Sequence, residues 1–320
     1  MRVTNPPGVF GNEKSLAPGP NTRDGVLNVR KPSGPTSHDI VDKVRRFTGT
    51  KRVGHAGTLD PLASGVLVVF VGKATRMIEY MPGEPKVYTA GLLLGLATDT
   101  GDITGTTIEE ASAENLTEDQ LRSAVKKLRG VIEQVPPMHS AIKRDGKKLY
   151  ELAREGKTVE RAPRRVTIYD IEMQDFAAGE KATATLTVSC SSGTYIRTLC
   201  EDIGKQLGLP ACMSSLVRNK VGRFGFDDAW DMDELGKLAT DGRIEEALLP
   251  ISCALVDLPG LICSEEQSFL LKRGNPIEYE GTEAPGVLLS MTDQNGVLVG
   301  VGVILKENAR LIVKPEKILV

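Results

Sequence analysis

Two short stretches hold the residues most able to do chemistry. Asp60 stands in GTLDPLASG, directly before a proline and ahead of an unbroken apolar run. Arg197 stands in SSGTYIRTL, where a glycine-led turn enters a helical pattern. An Asp-Pro pair ordinarily opens a turn, its carboxylate capping nearby N–H groups. The other reading is a carboxylate held up for reaction. Aspartate is already ionised at neutral pH, and a guanidinium beside it would keep it charged and fix its orientation. An anionic oxygen held that way suits a nucleophile or a base. On these residues alone both readings of Asp60 stand.

Other familiar sites are missing from the sequence. It contains no G-x-G-x-x-G and no G-x-S-x-G,. GVLVVFVGKAT has the wrong glycine spacing for a phosphate loop and ends on Ala74 where Ser or Thr belongs,. DTGDITG lacks the acidic spacing of a calcium loop,. His38, His55 and His139 are scattered and make no metal-ligand pattern,. The expectation is a reaction with no cofactor and no metal.

The elements that would position Asp60 and Arg197 can be read from periodicity. GVLNVRKPSG (25–34) is a strand broken at Lys31-Pro32. SHDIVDKVRRFTG (37–49) is an amphipathic helix with Ser37 as N-cap and Gly49 as stop,. The Asp60 loop follows, then GVLVVFVG (65–72) as a buried strand. KVYTAGLLLGLATDT (86–100) is a further strand region. TEDQLRSAVKKLRG (117–130) carries a Thr117–Gln120 capping box and a terminating glycine,. KATATLTVSCSSG (181–193) alternates as a half-buried strand does, and TYIRTLCEDIGKQLG (194–208) is a helix,. Helices and strands are interspersed without a regular βαβ rhythm, which predicts an α+β fold with a mixed or antiparallel sheet flanked by helices. From about residue 251 the pattern becomes β-rich, with a hairpin signal at DQNG,.

Composition adds bounds. The 320 residues are 40% apolar and 26% charged, as in a soluble globular protein, and the formal net charge of −2 names no partner,. No stretch reaches the roughly 18 apolar residues that span a bilayer. Cys190, Cys200, Cys212, Cys253 and Cys263 form no C-x-x-C pair and read as buried thiols of a reducing cytoplasm,. MRVTNPPGVFGNEKSLAPGP lacks the apolar core of a signal peptide, and its prolines and glycines read as a disordered tail over 1–24,.

Taken together, VRKPSGPTSHDIV, RVGHAGTLDPLASGVLVVFVGKATR, KVYTAGLLLGLATDTGD, QVPPMHSAIKRDGKKLYELAREG, SSGTYIRTLCEDIG and SSLVR occur in the order seen in the bacterial tRNA pseudouridine-55 synthases, the TruB family. The chain resembles that family over about residues 25–220. The resemblance implies that the uridine N1–C1′ bond is broken, the base turned and rejoined through C5, an isomerisation without net redox change. It makes Asp60 the essential aspartate, attacking C1′, attacking the base at C6 or removing a ribose proton. It makes Arg197 the partner of Asp60 and Tyr88 the ring that stacks on the uracil and helps remove the C5 proton. Leu216 would line the uracil pocket and Tyr195 would shape it. His55 would help hold RNA with bases flipped out, and Lys31 would support the active-site region. His139 replaces the tyrosine common in PPMHSA, and Arg30 replaces an acidic residue before Lys-Pro.

The domain organisation expected is a tail (1–24), a catalytic domain (25–250) and a small C-terminal PUA-like RNA-binding domain (251–320). An insertion at about 135–165, rich in Lys and Arg, would close over the T-arm of tRNA. The expected partner is tRNA, held by a cytoplasmic monomer that touches no membrane. Two other readings compete: a dyskerin-type synthase working with a guide RNA and partner proteins, and an RNA-folding module whose catalysis is secondary.

Overall fold

The structure is a computed structural model and describes residues 23–81, 83–140, 142–144, 146–157 and 159–319. The first described residues are already bonded to the fold. Arg23 donates to Thr48 O at 2.6 Å and to Glu245, and Asp24 accepts from Lys73 N. The rest of the tail expected over 1–24 lies outside the described residues.

Strand β1 (Gly25–Lys31) ends at Pro32, which has no N–H to extend a ladder,. Helix α1 (Ser37–Thr48) buries Ile40, Val41 and Val44 and stops at Gly49, which is left-handed at φ 66°,. Its N-cap is Thr36 rather than the expected Ser37. Thr36 and Asp39 form a reciprocal capping box,, and Ser37 is released for another task.

Strands β2 (Val53–Ala56) and β3 (Ser64–Val71) flank the Asp60 loop. β3 is uniformly apolar because both of its faces are buried. Leu67, Val69 and Val71 pack against Leu27, Val29 and α1. Val66, Val68 and Phe70 pack on the opposite face with Val26, Ala74 and Met77.

Strand β4 (Lys86–Leu94) follows, then a ribbon of β5 (Leu96–Thr98) and β6 (Thr107–Glu110). Helix α2 (Glu118–Lys126) has the expected Thr117–Gln120 box, but it ends before Gly130, which opens β7 (Gly130–Gln134). The 135–165 segment contains the hairpin β8 (Lys143–Arg144) and β9 (Lys147–Lys148), then α3 (Leu149–Arg154). β10 (Arg164–Ala177), β11 (Thr183–Cys190), α4 (Ile196–Leu207), β12 (Ala211–Val221), β13 (Phe224–Gly225) and α5 (Met232–Thr240) complete this part of the chain.

Nine strands form one sheet in the order β1-β3-β12-β4-β11-β10-β7, with β2 on β3 and β13 on β12. Its pairings are antiparallel except that of β12 with β3. Those two run parallel and meet at Val217↔Ser64 and Arg218↔Gly65. Farther along, β2 takes over the same edge of β3, from Ala56↔Val68 to Val53↔Val71. The sheet therefore forks between β3 and β12, and the 57–63 loop turns at the fork. Gly65 makes the meeting possible: its φ is 106°, and a Cβ there would lie 2.2 Å from Arg218 O,.

The C-terminal part folds as β14 (Gly260–Ile262), α6 (Glu265–Lys272), β15 (Ile277–Glu278), β16 (Leu288–Thr292), β17 (Leu298–Glu307) and β18 (Arg310–Ile318). These strands form a second sheet, β14-β16-β17-β18-β15, with DQNG turning between β16 and β17. Cys263, Leu289, Met291, Ile304 and Val313 belong to its own core. Leu298 and Val301 are buried instead with Val66 and Phe70 of the large sheet. The α+β class and the β-rich C-terminal unit are as the sequence predicted. The five cysteines are free thiols, four of them buried. Among the described residues no helix is long and apolar enough to cross a membrane.

Candidate active site

At the fork the Asp60 carboxylate does not make the bond that closes its own turn. The turn is made by backbone, with Ala63 N donating to Asp60 O at 3.1 Å. The carboxylate points to Arg197, whose Nε lies 3.0 Å from Asp60 Oδ2. The Arg197 side chain is 5% exposed and that of Asp60 36% exposed, so the cation is sealed while the anion can be reached. Arg197 is fixed on three sides: NH1 donates to Thr100 O at 2.9 Å and NH2 to His139 O at 2.7 Å. Burial raises the pKa of Asp60 and the nearby charge of Asp102 adds to that, while the Arg197 guanidinium and, to a smaller degree, Lys31 pull it down,.

The loop that carries Asp60 is tied down carbonyl by carbonyl. Lys31, fully buried, donates from Nζ to Ala63 O at 2.6 Å, Pro32 O at 3.0 Å and Pro61 O at 3.4 Å. These acceptors offset the burial of its charge, yet burial still lowers its pKa to about 8. Ser37, freed from capping, exchanges two hydrogen bonds with the Leu59 backbone, at 2.8 and 3.0 Å. Ser33 holds Leu62 O, and Gly34 N holds Pro61 O. From the β12 side Arg218, 1% exposed, donates Nε to Val66 O, NH2 to Gly57 O and NH1 to Thr58 O. A loop held at so many points presents its carboxylate in one position, as preorganised catalysis requires.

An apolar wall adjoins the pair. Tyr88 on β4 is 6% exposed and faces Arg218 of β12 in register, within hydrogen-bonding reach of that guanidinium; burial raises the phenol's pKa. Leu216, two residues before Arg218 on β12, is buried in the same cluster as Tyr88, Leu59, Ala63 and Ile196. Tyr195 is the N-cap residue of α4, half-buried, its backbone N and O both bonded to the side chain of buried Gln134. His55 lies on β2 opposite Val69, and its pKa is lowered by burial first and by the charge of Arg218 second. The structure thus brings Asp60, Arg197, Lys31, Tyr88 and Leu216 to one fork, with His55 and Tyr195 on the elements that border it.

Three residues of this centre were not picked out from sequence. Arg218 is two positions beyond Leu216, and the strand period of two puts both on one face, so SSLVR already contained the signal. Ser37 was assigned to the helix end instead of the loop. Asp102, 6% exposed, accepts from Thr104 N at 3.0 Å and closes the turn that also offers Thr100 O to Arg197. Its stretch is read from sequence as a failed calcium loop and as the end of KVYTAGLLLGLATDTGD, with no role for Asp102 itself. Among the described residues no group of His, Cys, Asp and Glu is arranged to hold a metal ion.

Known proteins resemble this chain along most of its length. A family model described as TruB family pseudouridylate synthase (N terminal domain) matches residues 45–196. A second, described as tRNA pseudouridylate synthase B C-terminal domain, matches 197–256. The chain is 47% identical over 239 residues to the tRNA pseudouridine synthase B of Bacillus pumilus, covering 74% of this chain and 77% of that protein. It is 41% identical over 303 residues to the Bacillus velezensis protein of the same name, covering 92% and 97%. A chain in the crystal structure of a Cbf5-Nop10-Gar1 complex superposes with a TM-score of 0.71 at 26% identity, covering 92% of this chain and 84% of that one. With two adjoining family models, close relatives along nearly its whole length and a shared fold, the chain belongs to the TruB family of pseudouridylate synthases.

Proposed function

We propose that this chain is a stand-alone tRNA pseudouridine synthase that isomerises uridine 55 in the T-loop. The single observation that carries the reading is the Asp60–Arg197 pair, one reachable carboxylate on a sealed guanidinium, beside an apolar wall of Tyr88 and Leu216. The relatives named tRNA pseudouridine synthase B are 41% and 47% identical, against 26% for the Cbf5-complex chain. This favours a tRNA substrate over a guide-RNA assembly.

In this reading the target uridine leaves its stack, because C1′ cannot be approached inside a folded loop. The lost stacking, a few kcal/mol, is offset by the Tyr88 ring and by His55, since such ring faces recover about 1–3 kcal/mol per base. Asp60 is the reacting oxygen. The N1–C1′ bond breaks, a C5–C1′ bond forms, and the C5 proton is exchanged for one at N1, so atoms and charge balance without any cofactor. Arg197 orients Asp60. Leu216 and Tyr195 shape the pyrimidine pocket, and Lys31 keeps the loop rigid. The catalytic unit is 25–250, with its 135–165 insertion closing over the T-arm, and the PUA-like unit 251–320 grips RNA. The enzyme works as a monomer in the cytoplasm, the compartment where unmodified tRNA and reduced thiols are found together.

The test is to incubate the purified chain alone with an unmodified tRNA transcript and map the converted uridine. Conversion at a single T-loop position, lost in Asp60→Asn while tRNA is still bound, is expected. Conversion only after adding a guide RNA and partner proteins would overturn the stand-alone reading. Normal turnover by Asp60→Asn would overturn the assignment of the site.

A further inference from the structure

Lys86 has no part in the centre described above, yet it stands at its lip. It opens β4 two residues before Tyr88, and a strand advances about 7 Å in two residues while returning to the same face. Lys86 and Tyr88 therefore project from one face of the sheet. The Lys86 side chain runs toward the first residue of the Asp60 loop: a Cβ placed on Gly57 would lie 3.4 Å from Lys86 Nζ and 3.5 Å from Arg218 NH1. Two cations thus meet at a residue that has no side chain, is exposed to solvent and has φ 84°.

Their surroundings do not explain Lys86. Arg218 spends its donors on the carbonyls of Val66, Thr58 and Gly57. Beyond the backbone ladder, the Lys86 ammonium makes no hydrogen bond and no ion pair among the described residues. The acid nearest in sequence, Glu84, is occupied by Tyr169 OH at 2.7 Å and Ser192 N at 2.8 Å. Burial lowers the pKa of Lys86, and the like charge of Arg218 lowers it further. An ammonium partly withdrawn from water beside a second cation, with no protein acceptor, costs the folded state free energy,. Both the charge excess and the unused donors would be satisfied by an anion resting over Gly57.

We infer that Lys86, backed by Arg218, is a subsite for a phosphodiester flanking the target uridine, gripping the RNA backbone while Tyr88 meets the base. A nucleotide drawn out of its stack carries its two flanking phosphates with it, and a cation one strand repeat from the stacking ring is placed to receive one of them. This contact sets the register of the nucleotide over Asp60 and carries no sequence information. It rests on the proposed reading of RNA as the substrate.

The experiment compares wild type, Lys86→Gln and Lys86→Arg on an unmodified T-arm stem-loop. A second pair of stem-loops carries a neutral methylphosphonate at the phosphate 5′ or 3′ of the target uridine. Lys86→Gln is expected to weaken binding about tenfold, the value of one charge-assisted hydrogen bond, with the loss falling on KM rather than kcat. Its slope of log affinity against log salt should fall by about 0.7–0.9, one phosphate contact. Lys86→Arg should retain most of the affinity. One methylphosphonate position should cost wild type about the same factor and cost Lys86→Gln nothing more. Equal affinity and equal salt slope for Lys86→Gln would overturn the subsite. So would a wild type indifferent to both methylphosphonates, a result that needs no variant to fold. If wild type neither binds nor converts the stem-loop, the RNA reading fails and this one with it. If wild type converts it and Lys86→Gln is indistinguishable, only the phosphate contact fails.

Discussion

Arg197 Nε sits 3.0 Å from Asp60 Oδ2, with the arginine side chain 5% exposed and the aspartate 36%. The two residues come from elements far apart in sequence, the turn before β3 and the first turn of α4. The asymmetry leaves the carboxylate open to solvent while its guanidinium partner is buried.

Asp60→Asn keeps the shape of the side chain and removes its charge. A fully buried pair broken on one side costs about 3–5 kcal/mol. Asp60 is partly open to water, which screens the loss to about 1–2 kcal/mol. Turnover should fall by about a thousandfold or more, in the range lost with a reacting acid–base group. Single-turnover kinetics and a urea titration on the same variant separate the two effects. A variant as slow as expected but as unstable as an unfolded core would attribute the slowness to folding.

Under the proposed function, the acid limb of kcat/KM is expected to report the ionisation of Asp60. Burial sets that pKa above the usual 3.8 and Arg197 opposes the shift. Replacing Arg197 by Gln removes the opposing charge, so the pKa rises further and the acid limb moves to higher pH. A pH–rate profile that loses amplitude without moving would show that another group titrates there.

Lys31 links stability to pH through a depressed folded-state pKa, about 8 against 10.5. Between those values the unfolded chain binds more protons than the folded one, so stability rises with pH across that window. Below about pH 8 the penalty is fully present, at most about 3 kcal/mol. Lys31→Met abolishes the rise. Urea midpoints at about pH 7 and about pH 10 for both proteins measure it; parallel changes would remove Lys31 as the source.

Arg218→Ala leaves the buried carbonyl of Val66 and the part-buried carbonyls of Thr58 and Gly57 without their donor. A buried unsatisfied group costs about 1–3 kcal/mol and water can reach the other two, so a loss of about 2–3 kcal/mol is expected. Gly65→Ala strikes the same junction from the other strand, since its Cβ would overlap Arg218 O and its φ of 106° disfavours any side chain. It should cost about 3 kcal/mol or more. Calorimetry on the two single variants and the double variant should show a sub-additive sum, because both loosen one fork. Strict additivity would mean the two residues act independently.

The parts of this molecule that were legible in sequence are those encoded locally. The apolar run of β3, the Thr117 capping box, the DQNG turn and the α4 helix with its closing Gly208 all follow from neighbouring residues. Even the Thr36–Asp39 box was written in the spacing of TSHD, one residue ahead of the expected cap at Ser37. The fork was not legible. It arises where β12 meets β3 over two residues and β2 takes the rest of the edge, and no local pattern states which distant strand will pair. Arg218 and Lys31 were hard to value for a related reason. Their partners are backbone carbonyls, which every residue offers, so the sequence names the donor without naming what it holds.

Leu298 and Val301 lie in the same apolar layer as Val66 and Phe70. The C-terminal sheet is therefore no detachable appendage. A truncation that deleted it would strip the cover from the rear of the strand that follows the Asp60 turn, and water would reach side chains that are now dry. Swapping this unit for another, as happens freely with modules joined by a linker, would require the newcomer to bring its own apolar plug for that surface.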